Sequence, residues 1–149
     1  MFSGWFDNPT SKIKVGFDDV KHAIQNPTNH IIINTMPADC QECLIKHTMA
    51  IDLEERIIND YLQKSSFKGI YIIIYGKNAT DNTVDKKYGQ LTSLGFQHVH
   101  IYSGGLFEWC LLQDIYGIDE FPTTKTVVDI LRYKPAPVIF TNTPLLKHY

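Results

Sequence analysis

Residues 70–75 read IYIIIY and are followed by a polar loop, residues 76–82 (GKNATDN), that leads into a helical pattern. The apolar run is short, β-branched and continuous, which is typical of a strand buried on both faces of a parallel sheet. Two other segments predict strands of this kind, residues 30–35 (HIIINT) and residues 98–102 (HVHIY). A brief strand is expected at residues 13–15.

Helical patterns lie between these strands. Residues 17–25 and residues 106–116 each predict a helix, and residues 83–94 carry apolar side chains at helical spacing up to Gly95, a typical helix terminator. A further helix is expected to open at Asp52, an acid of the capping type with Glu55 three residues later. Helices that alternate with doubly buried strands predict an α/β domain with a central, mainly parallel sheet and helices on both faces.

The length of 149 residues favours one domain with a sizeable core. We expect residues 13–117 to form this domain, residues 1–12 to be an N-terminal extension, and residues 118–149 to be a C-terminal extension packed on the domain. Four prolines interrupt the last segment, in which only residues 126–133 have a helix-like pattern.

Composition excludes several classes of function. With 14 basic and 16 acidic side chains the net charge is −2, which argues against a general nucleic-acid-binding protein. No apolar run approaches the roughly 18 residues of a membrane span, and the first residues lack a signal-peptide pattern. Three cysteines fit reduced thiols better than a disulfide framework. We therefore expect a cytoplasmic protein that binds neither nucleic acid nor membranes, and the sequence leaves its oligomeric state open.

The loop after the third predicted strand is the first candidate site. Ligands of parallel α/β sheets bind beyond the carboxyl ends of the strands, and the N–H groups of a strand–loop–helix can converge on an anion. Lys77 favours such an anion site and Asp81 disfavours it, and an ordinary connection is the alternative. The candidate ligand-binding residues are Gly76, Lys77, Asn78, Ala79, Thr80, Asp81 and Asn82.

Residues 99–109 (VHIYSGGLFEW) indicate a family. A strand that ends in a Gly-Gly turn and continues into a helix with Trp one turn later resembles the rhodanese-like family, and Leu94-Gly95-Phe96 before it is also similar. The family includes sulfurtransferases and the catalytic domain of dual-specificity cell-cycle phosphatases. The resemblance covers roughly residues 13–117 and implies the rhodanese-like three-layer α/β/α fold.

The same resemblance places the family's catalytic cysteine at the head of the loop, where this chain has Gly76. Glycine offers no thiolate, and the loop contains neither another cysteine nor the arginine with which the phosphatases bind phosphate. Residues 34–36 (NTM) and residues 43–45 (CLI) also depart from the family's usual Asp-x-Arg and Gly-His-Ile. We therefore expect no catalytic residue here and a catalytically inactive binding or regulatory module, with a small anion or a protein as its partner and no cofactor.

Cys40 and Cys43 are the alternative thiols. They form a lone CxxC, for which a redox pair, a metal site completed by His47 and two unreactive thiols are all possible interpretations, and the last is favoured. A sulfurtransferase with its nucleophile relocated to Cys40 or Cys43 is thus one alternative function. A structural scaffold for a protein partner is another.

Three other features have simple explanations. Cys110 lies on an apolar helix face and is expected in the core. His98 and His100 share one face of a strand and could pair on a ligand, although a polar sheet face is the favoured interpretation, and no metal is expected. Residues 117–124 could cover the mouth of the 76–82 loop.

Overall fold

A computed structural model describes residues 13–140 of the chain. It contains one four-stranded sheet, all parallel, in the order β1-β4-β3-β2. The strands are β1 (Lys14–Val15), β2 (His30–Asn34), β3 (Tyr71–Tyr75) and β4 (His98–Tyr102). The helices are α1 (Phe17–Gln25), α2 (Ile51–Leu62), α3 (Thr83–Ser93) and α4 (Gly105–Tyr116), with short 3-10 helices at Ala38–Cys40, Ser65–Gly69 and Ile130–Tyr133.

The central strands are apolar throughout because both faces of the sheet are covered. One face packs against α1 and α4 through a cluster that includes Ile73, Tyr75 and Trp109. The other face packs against α2 and α3, with Ile72 and Ile74 completely buried. The predicted α/β architecture, with a parallel sheet between two helical layers, is confirmed.

Two helix predictions need correction. The second helix begins at Ile51, one residue before the expected start, and no side chain caps its N-terminus, so Asp52 lies in the first turn rather than at the cap. Of the helix-like segment 126–133, only Ile130–Tyr133 is helical, as a 3-10 turn, because the Asp129 carboxylate accepts from the Leu131 N–H and Pro135 follows closely.

The predicted end of α3 at Gly95 is correct. Gly95 adopts a φ of 107° directly after the C-cap residue Leu94, as the left-handed turn that closes a helix requires.

Residues beyond α4 pack against the core. Phe121 is buried with its ring edge-on to Trp109 at 5.1 Å, and the Trp109 indole N–H donates to the Pro122 carbonyl at 3.1 Å. Thr123 forms a β-bridge with Ile45. The expected extension 1–12 lies outside the described residues, and the division of the chain at residues 12 and 117 stays a prediction. Among the described residues, every helix is too short or too polar to cross a bilayer.

Tyr75 fixes the segment that follows β2. Its hydroxyl accepts from the Ile45 N–H at 3.1 Å and lies 2.7 Å from the Thr48 hydroxyl, in fully buried surroundings. Burial raises the pKa of this phenol, so it stays protonated. The end of β3 thereby holds residues 45–48 against the sheet.

The Gly-Gly turn brings α4 into backbone contact with the loop after β3. Gly105 has a φ of 69°, and a Cβ on it would lie 2.8 Å from the Gly76 carbonyl oxygen and 2.9 Å from the Asn78 nitrogen. Because the backbones are so close, the first N–H groups of α4 form hydrogen bonds with the loop. Leu106 donates to Gly76 O at 3.0 Å, and Phe107 donates to Lys77 O at 2.9 Å. Only glycine permits both the conformation and the approach.

We predict that Gly105→Ala lowers the free energy of unfolding by about 3 kcal/mol or more, because left-handed strain adds to backbone overlap. Gly89→Ala is the control, since Gly89 lies inside α3 with no atom near a new Cβ, and it should raise stability by about 0.5–1 kcal/mol. Urea denaturation of the two variants measures both changes. Equal stability of Gly105→Ala and the parent chain would contradict the close packing of loop and helix.

Candidate functional site

A cleft of about 430 Å³ lies at the carboxyl end of β2 and β3, where the chain was expected to bind its ligand. Three parts of the chain form it: the residues after β2, the 76–82 loop with the start of α3, and the C-terminal segment. Its lining residues are Thr35, Met36, Pro37, Cys40, Lys77, Asn78, Thr80, Asp81, Thr83, Tyr133, Lys134 and Ala136.

The Asp81 carboxylate is the centre of the loop's hydrogen bonding. One oxygen, Oδ2, accepts from the Lys77 N–H at 2.9 Å. The other, Oδ1, accepts from the Thr83 N–H at 3.0 Å and from the Thr83 hydroxyl at 2.6 Å. The sequence suggested that N–H groups of this strand–loop–helix bind a dissolved anion. In the structure the N–H groups of Lys77 and Thr83 bind the carboxylate of Asp81, which belongs to the same chain.

These donors control the ionisation of Asp81. Partial burial favours the neutral acid, but the N–H of Lys77 and the hydroxyl and N–H of Thr83 together outweigh it and lower the pKa of Asp81. The carboxylate is consequently ionised at neutral pH, and it neutralises the positive end of α3.

Gly76 lies directly under this carboxylate. A Cβ built on Gly76 would be 2.5 Å from Asp81 Oδ2 and 2.9 Å from Asp81 Cγ, and it would also crowd Val84 at 3.1 Å. Real side chains do not approach so closely, so the space that any side chain at position 76 needs is already filled.

Asn78 ties the loop to the C-terminal segment. This residue is buried, and its amide nitrogen Nδ2 donates to the Tyr133 carbonyl at 2.9 Å. Its oxygen Oδ1 accepts from both the backbone N–H and the hydroxyl of Thr80, at 3.0 and 2.7 Å. Ala79 and Asn82, the other predicted loop residues, are exposed and do not line the cleft.

The residues that form the wall of the cleft opposite the loop were not predicted from the sequence. Tyr133, Lys134 and Ala136 line the cleft. Residues 117–124, which were expected to cover the loop, do not line it, and residues 122–124 pair with residues 44–46 instead. The signal in the sequence was weak, because only the short apolar pattern near Tyr133 indicated that this segment packs on the domain. An ion pair from Arg132 to Glu42 at 2.5 Å helps to hold it in place.

Cys40 is the cysteine that lines the cleft. It ends the 3-10 turn Ala38–Cys40 and is partly exposed. Burial of its sulfur and the charge of Asp39 raise the pKa of Cys40, and Lys77 offsets only part of this effect. The thiol also donates to the Asp39 carboxylate at 3.6 Å. Cys40 is thus accessible but mostly protonated, which makes it a poor nucleophile.

Cys43 has different surroundings, although it lies only three residues away. It is fully buried, and its thiol donates to the Lys125 carbonyl at 3.1 Å. The contact with Cys110 lowers the pKa of Cys43 against the opposing effect of burial. The same contact, and burial, raise the pKa of Cys110, which lies in the core as expected. A dissolved substrate cannot reach either sulfur.

The two cysteines of the CxxC therefore lie in separate environments in this structure and do not act together. All three cysteines are free thiols, and within residues 13–140 no three histidine, cysteine or acidic side chains are placed to hold a metal ion together. His98 and His100 share a face of β4 as expected, but His98 stacks on Tyr71 with ring centres 4.4 Å apart.

We predict that Asp81→Asn lowers the free energy of unfolding at pH 7 by about 1–3 kcal/mol, because an amide cannot accept from the Lys77 and Thr83 donors together. Since the folded state lowers the pKa of Asp81, the carboxylate's contribution is present above the unfolded-state pKa of about 3.9 and is lost as pH falls through the folded-state value. The difference between the parent chain and the variant should therefore shrink towards pH 2, as urea denaturation across the pH range would show.

Asp119→Asn serves as the matched control because Asp119 is an exposed acid after α4. It should change stability by less than about 0.5 kcal/mol at any pH. A pH-independent loss in Asp81→Asn would show that the carboxylate's charge does not matter.

Comparisons with known proteins address the fold. No protein-family model matches the sequence, and no curated protein matches it significantly. A full-length protein from Lactobacillus plantarum has a similar structure, with 19% identity, a TM-score of 0.56, and coverage of 85% of this chain and 100% of that chain. A protein from Bacillus halodurans is 20% identical with a TM-score of 0.55, covering 78% of this chain and 80% of that one.

A third solved structure is a rhodanese-like domain from Anabaena sp. It is 21% identical to this chain with a TM-score of 0.52, and the alignment covers 85% of this chain and 86% of that domain. Identities of this size show similarity of fold alone. The four-stranded parallel sheet between two helical layers, which the Gly-Gly turn and the Trp109 helix led us to expect, is the rhodanese-like fold.

Proposed function

We propose that this chain is a rhodanese-fold binding module that does not transfer sulfur or phosphoryl groups. The observation that carries the proposal is the Asp81 carboxylate over Gly76, 2.5 Å from where a Cβ would be. Rhodanese-type chemistry requires a thiolate at the head of the loop with its N–H groups open to a developing negative charge. Here the thiolate position has no side chain, and an internal carboxylate accepts from Lys77 and Thr83.

The cleft itself supports a binding role. Its charged lining side chains are Lys77, Lys134 and Asp81, which sum to a net positive charge, and the Asp81 carboxylate already accepts three hydrogen bonds from the chain. The cleft therefore favours an anionic ligand, which could be a small anion or an acidic group of a protein partner. We propose that the two lysine side chains bind this group at the cleft, in front of the 76–82 loop.

Cys40 supports one rival function, a sulfurtransferase with a relocated nucleophile. In that reaction the Cys40 thiolate would attack the outer sulfur of thiosulfate, the S–S bond would break, and sulfite would leave with its electron pair. Cyanide would then take the outer sulfur of the cysteine persulfide as thiocyanate and restore the thiolate. The partly exposed position of Cys40 in the cleft favours this reaction, whereas its raised pKa opposes it.

A persulfide assay separates the two functions. The reduced, purified chain is incubated with thiosulfate, and the intact mass is measured before and after cyanide is added. Because the accessible thiol is mostly protonated, we expect no gain of a sulfur atom. A gain that cyanide removes would overturn the non-catalytic proposal. Its loss in Cys40→Ser, with retention in the buried control Cys43→Ser, would assign the reaction to Cys40.

Binding is tested separately by following amide NMR resonances during a titration with thiosulfate. We expect shifts of the amides of residues 77–83 and of Tyr133, Lys134 and Ala136. The double variant Lys77→Gln/Lys134→Gln should weaken binding by about fivefold or more because it removes both cations. Lys86→Gln removes a positive charge from α3 outside the cleft and should leave affinity nearly unchanged. If Lys86→Gln weakens binding as much as Lys77→Gln or Lys134→Gln does alone, only net charge attracts the anion.

A further inference from the structure

Helix α4 exposes apolar side chains on the face that points away from the core. Leu111 and Ile115 lie one turn apart on this face, and Tyr116 and Ile118 extend it past the end of the helix. Their exposed fractions are 39, 70, 64 and 46%, respectively. We call these four side chains the outer α4 patch. None of them lines the cleft beside the 76–82 loop, so an inference about the outer α4 patch is independent of the proposed function.

An exposed apolar face is unusual for a helix on the surface of a domain. Such a helix normally directs one apolar stripe to the core and polar side chains to water, whereas a helix that is apolar on all sides is normally buried. The core-facing stripe of α4 is already provided by Leu106, Trp109 and Cys110, which are fully buried. By contrast, the exposed faces of α2 and α3 carry charged side chains such as Glu55 and Lys86. The outer α4 patch therefore has the composition of a second packing surface.

The first ten residues of the chain (MFSGWFDNPT) have a composition that suits this surface. They include three aromatic side chains, Phe2, Trp5 and Phe6, and only one charged side chain, that of Asp7. Aromatic side chains bury large apolar areas and contribute strongly to packing contacts. A segment with this composition loses little solvation of charged groups when it packs on an apolar surface.

The described part of the chain begins within reach of the outer α4 patch. Phe17, the first residue of α1, has its ring centre 5.5 Å from that of Phe121, and the ring centre of Tyr116 lies 6.0 Å from the same ring. Phe17 and the patch residue Tyr116 are thus joined through one buried side chain, and Phe17 is only four residues after Ile13. The stretch from Phe6 to Ile13 spans up to about 23 Å, and α4 is about 18 Å long. The segment is therefore long enough to lie along the patch.

A second copy of the chain fits the outer α4 patch less well. A stable interface between two proteins typically buries about 800 Å² and about 20–30 residues on each side, whereas this patch offers four side chains. Association of two molecules also costs translational and rotational freedom, which a segment of the same chain has largely lost already. The small size of the patch thus favours a tethered segment.

We propose that residues 2–6 dock on the outer α4 patch, with the Trp5 ring against Ile115. The docked segment covers the apolar face of α4 and completes the packing of this helix. It thereby removes from water a surface that would otherwise favour association with other proteins.

Tryptophan fluorescence tests the proposal on the full chain, because Trp5 lies in the segment and Trp109, the other tryptophan, is completely buried. Subtracting the spectrum of Trp5→Phe from that of the parent chain isolates the emission of Trp5. A synthetic peptide of residues 1–12 gives the emission of Trp5 in water. We expect the Trp5 emission of the parent chain to be blue-shifted from that of the peptide and quenched by acrylamide at least about twofold less, because close packing excludes water and the quencher.

Ile115→Lys is the decisive variant. It places a charge in the middle of the outer α4 patch, and because Ile115 is exposed the variant is compatible with the fold. We expect its Trp5 emission and quenching to approach those of the peptide. The spectrum of Trp5→Phe/Ile115→Lys is subtracted, and the Trp109 emission of that chain reports whether the core is intact. Leu111→Lys, one turn earlier on the same patch, should act in the same way and repeats the test if Ile115→Lys does not fold.

Leu94→Lys is the matched control. Leu94 is also an exposed apolar side chain, but it lies at the end of α3, which packs on the other face of the sheet. This variant should leave the emission and quenching of Trp5 unchanged.

Three results would overturn the proposal. Identical Trp5 emission in the parent chain and the peptide would show that the segment is not docked. Unchanged Trp5 emission in the folded patch variants, or an equal change in Leu94→Lys, would place Trp5 somewhere other than the outer α4 patch. A blue shift that disappears on dilution would identify a second copy of the chain, and not the same chain, as the occupant.

Discussion

The contact between the loop after β3 and the first turn of α4 is the constraint on which the carboxyl end of the sheet depends. Carbonyls of Gly76 and Lys77 accept from the first N–H groups of α4, and Gly105 permits that approach. These bonds satisfy donors that a helix otherwise leaves open to an anion or water. Asp81 does the same for the start of α3. Two neighbouring helix N-termini, both typical anion sites, are therefore satisfied from within the chain.

The architecture could be predicted because its causes are local. A continuous apolar run such as residues 71–75 occurs where helices cover both faces, and Gly95 ends α3 through a conformation that other residues avoid. The start at Ile51 was missed because no side chain caps that helix, so the backbone alone sets its first residue. The 3-10 turn at Ile130–Tyr133 was mistaken for a longer helix because apolar spacing does not distinguish the two over so short a segment.

The position of the loop was predicted, but its contacts were not. The buried strands and the parallel sheet followed from periodicity, so residues 76–82 were correctly expected at the carboxyl end of β3. The bond from Asn78 to the Tyr133 carbonyl joins residues 55 positions apart, and nothing in the local pattern specifies it. Similarly, spacing placed Cys40 and Cys43 together, whereas the fold directs one sulfur to the cleft and buries the other. Such pairings depend on packing across the whole domain.

Asp81 also determines how strongly a dissolved anion must bind in order to compete for the hydrogen-bond donors of the loop. A carboxylate held on the same chain behaves as a ligand of high effective concentration, commonly about millimolar or above for short connections. A free anion present at micromolar levels cannot displace it from the Lys77 and Thr83 donors unless its intrinsic affinity for them is correspondingly greater. Dissolved anions at such levels therefore leave the hydrogen bonds from Lys77 and Thr83 to Asp81 intact.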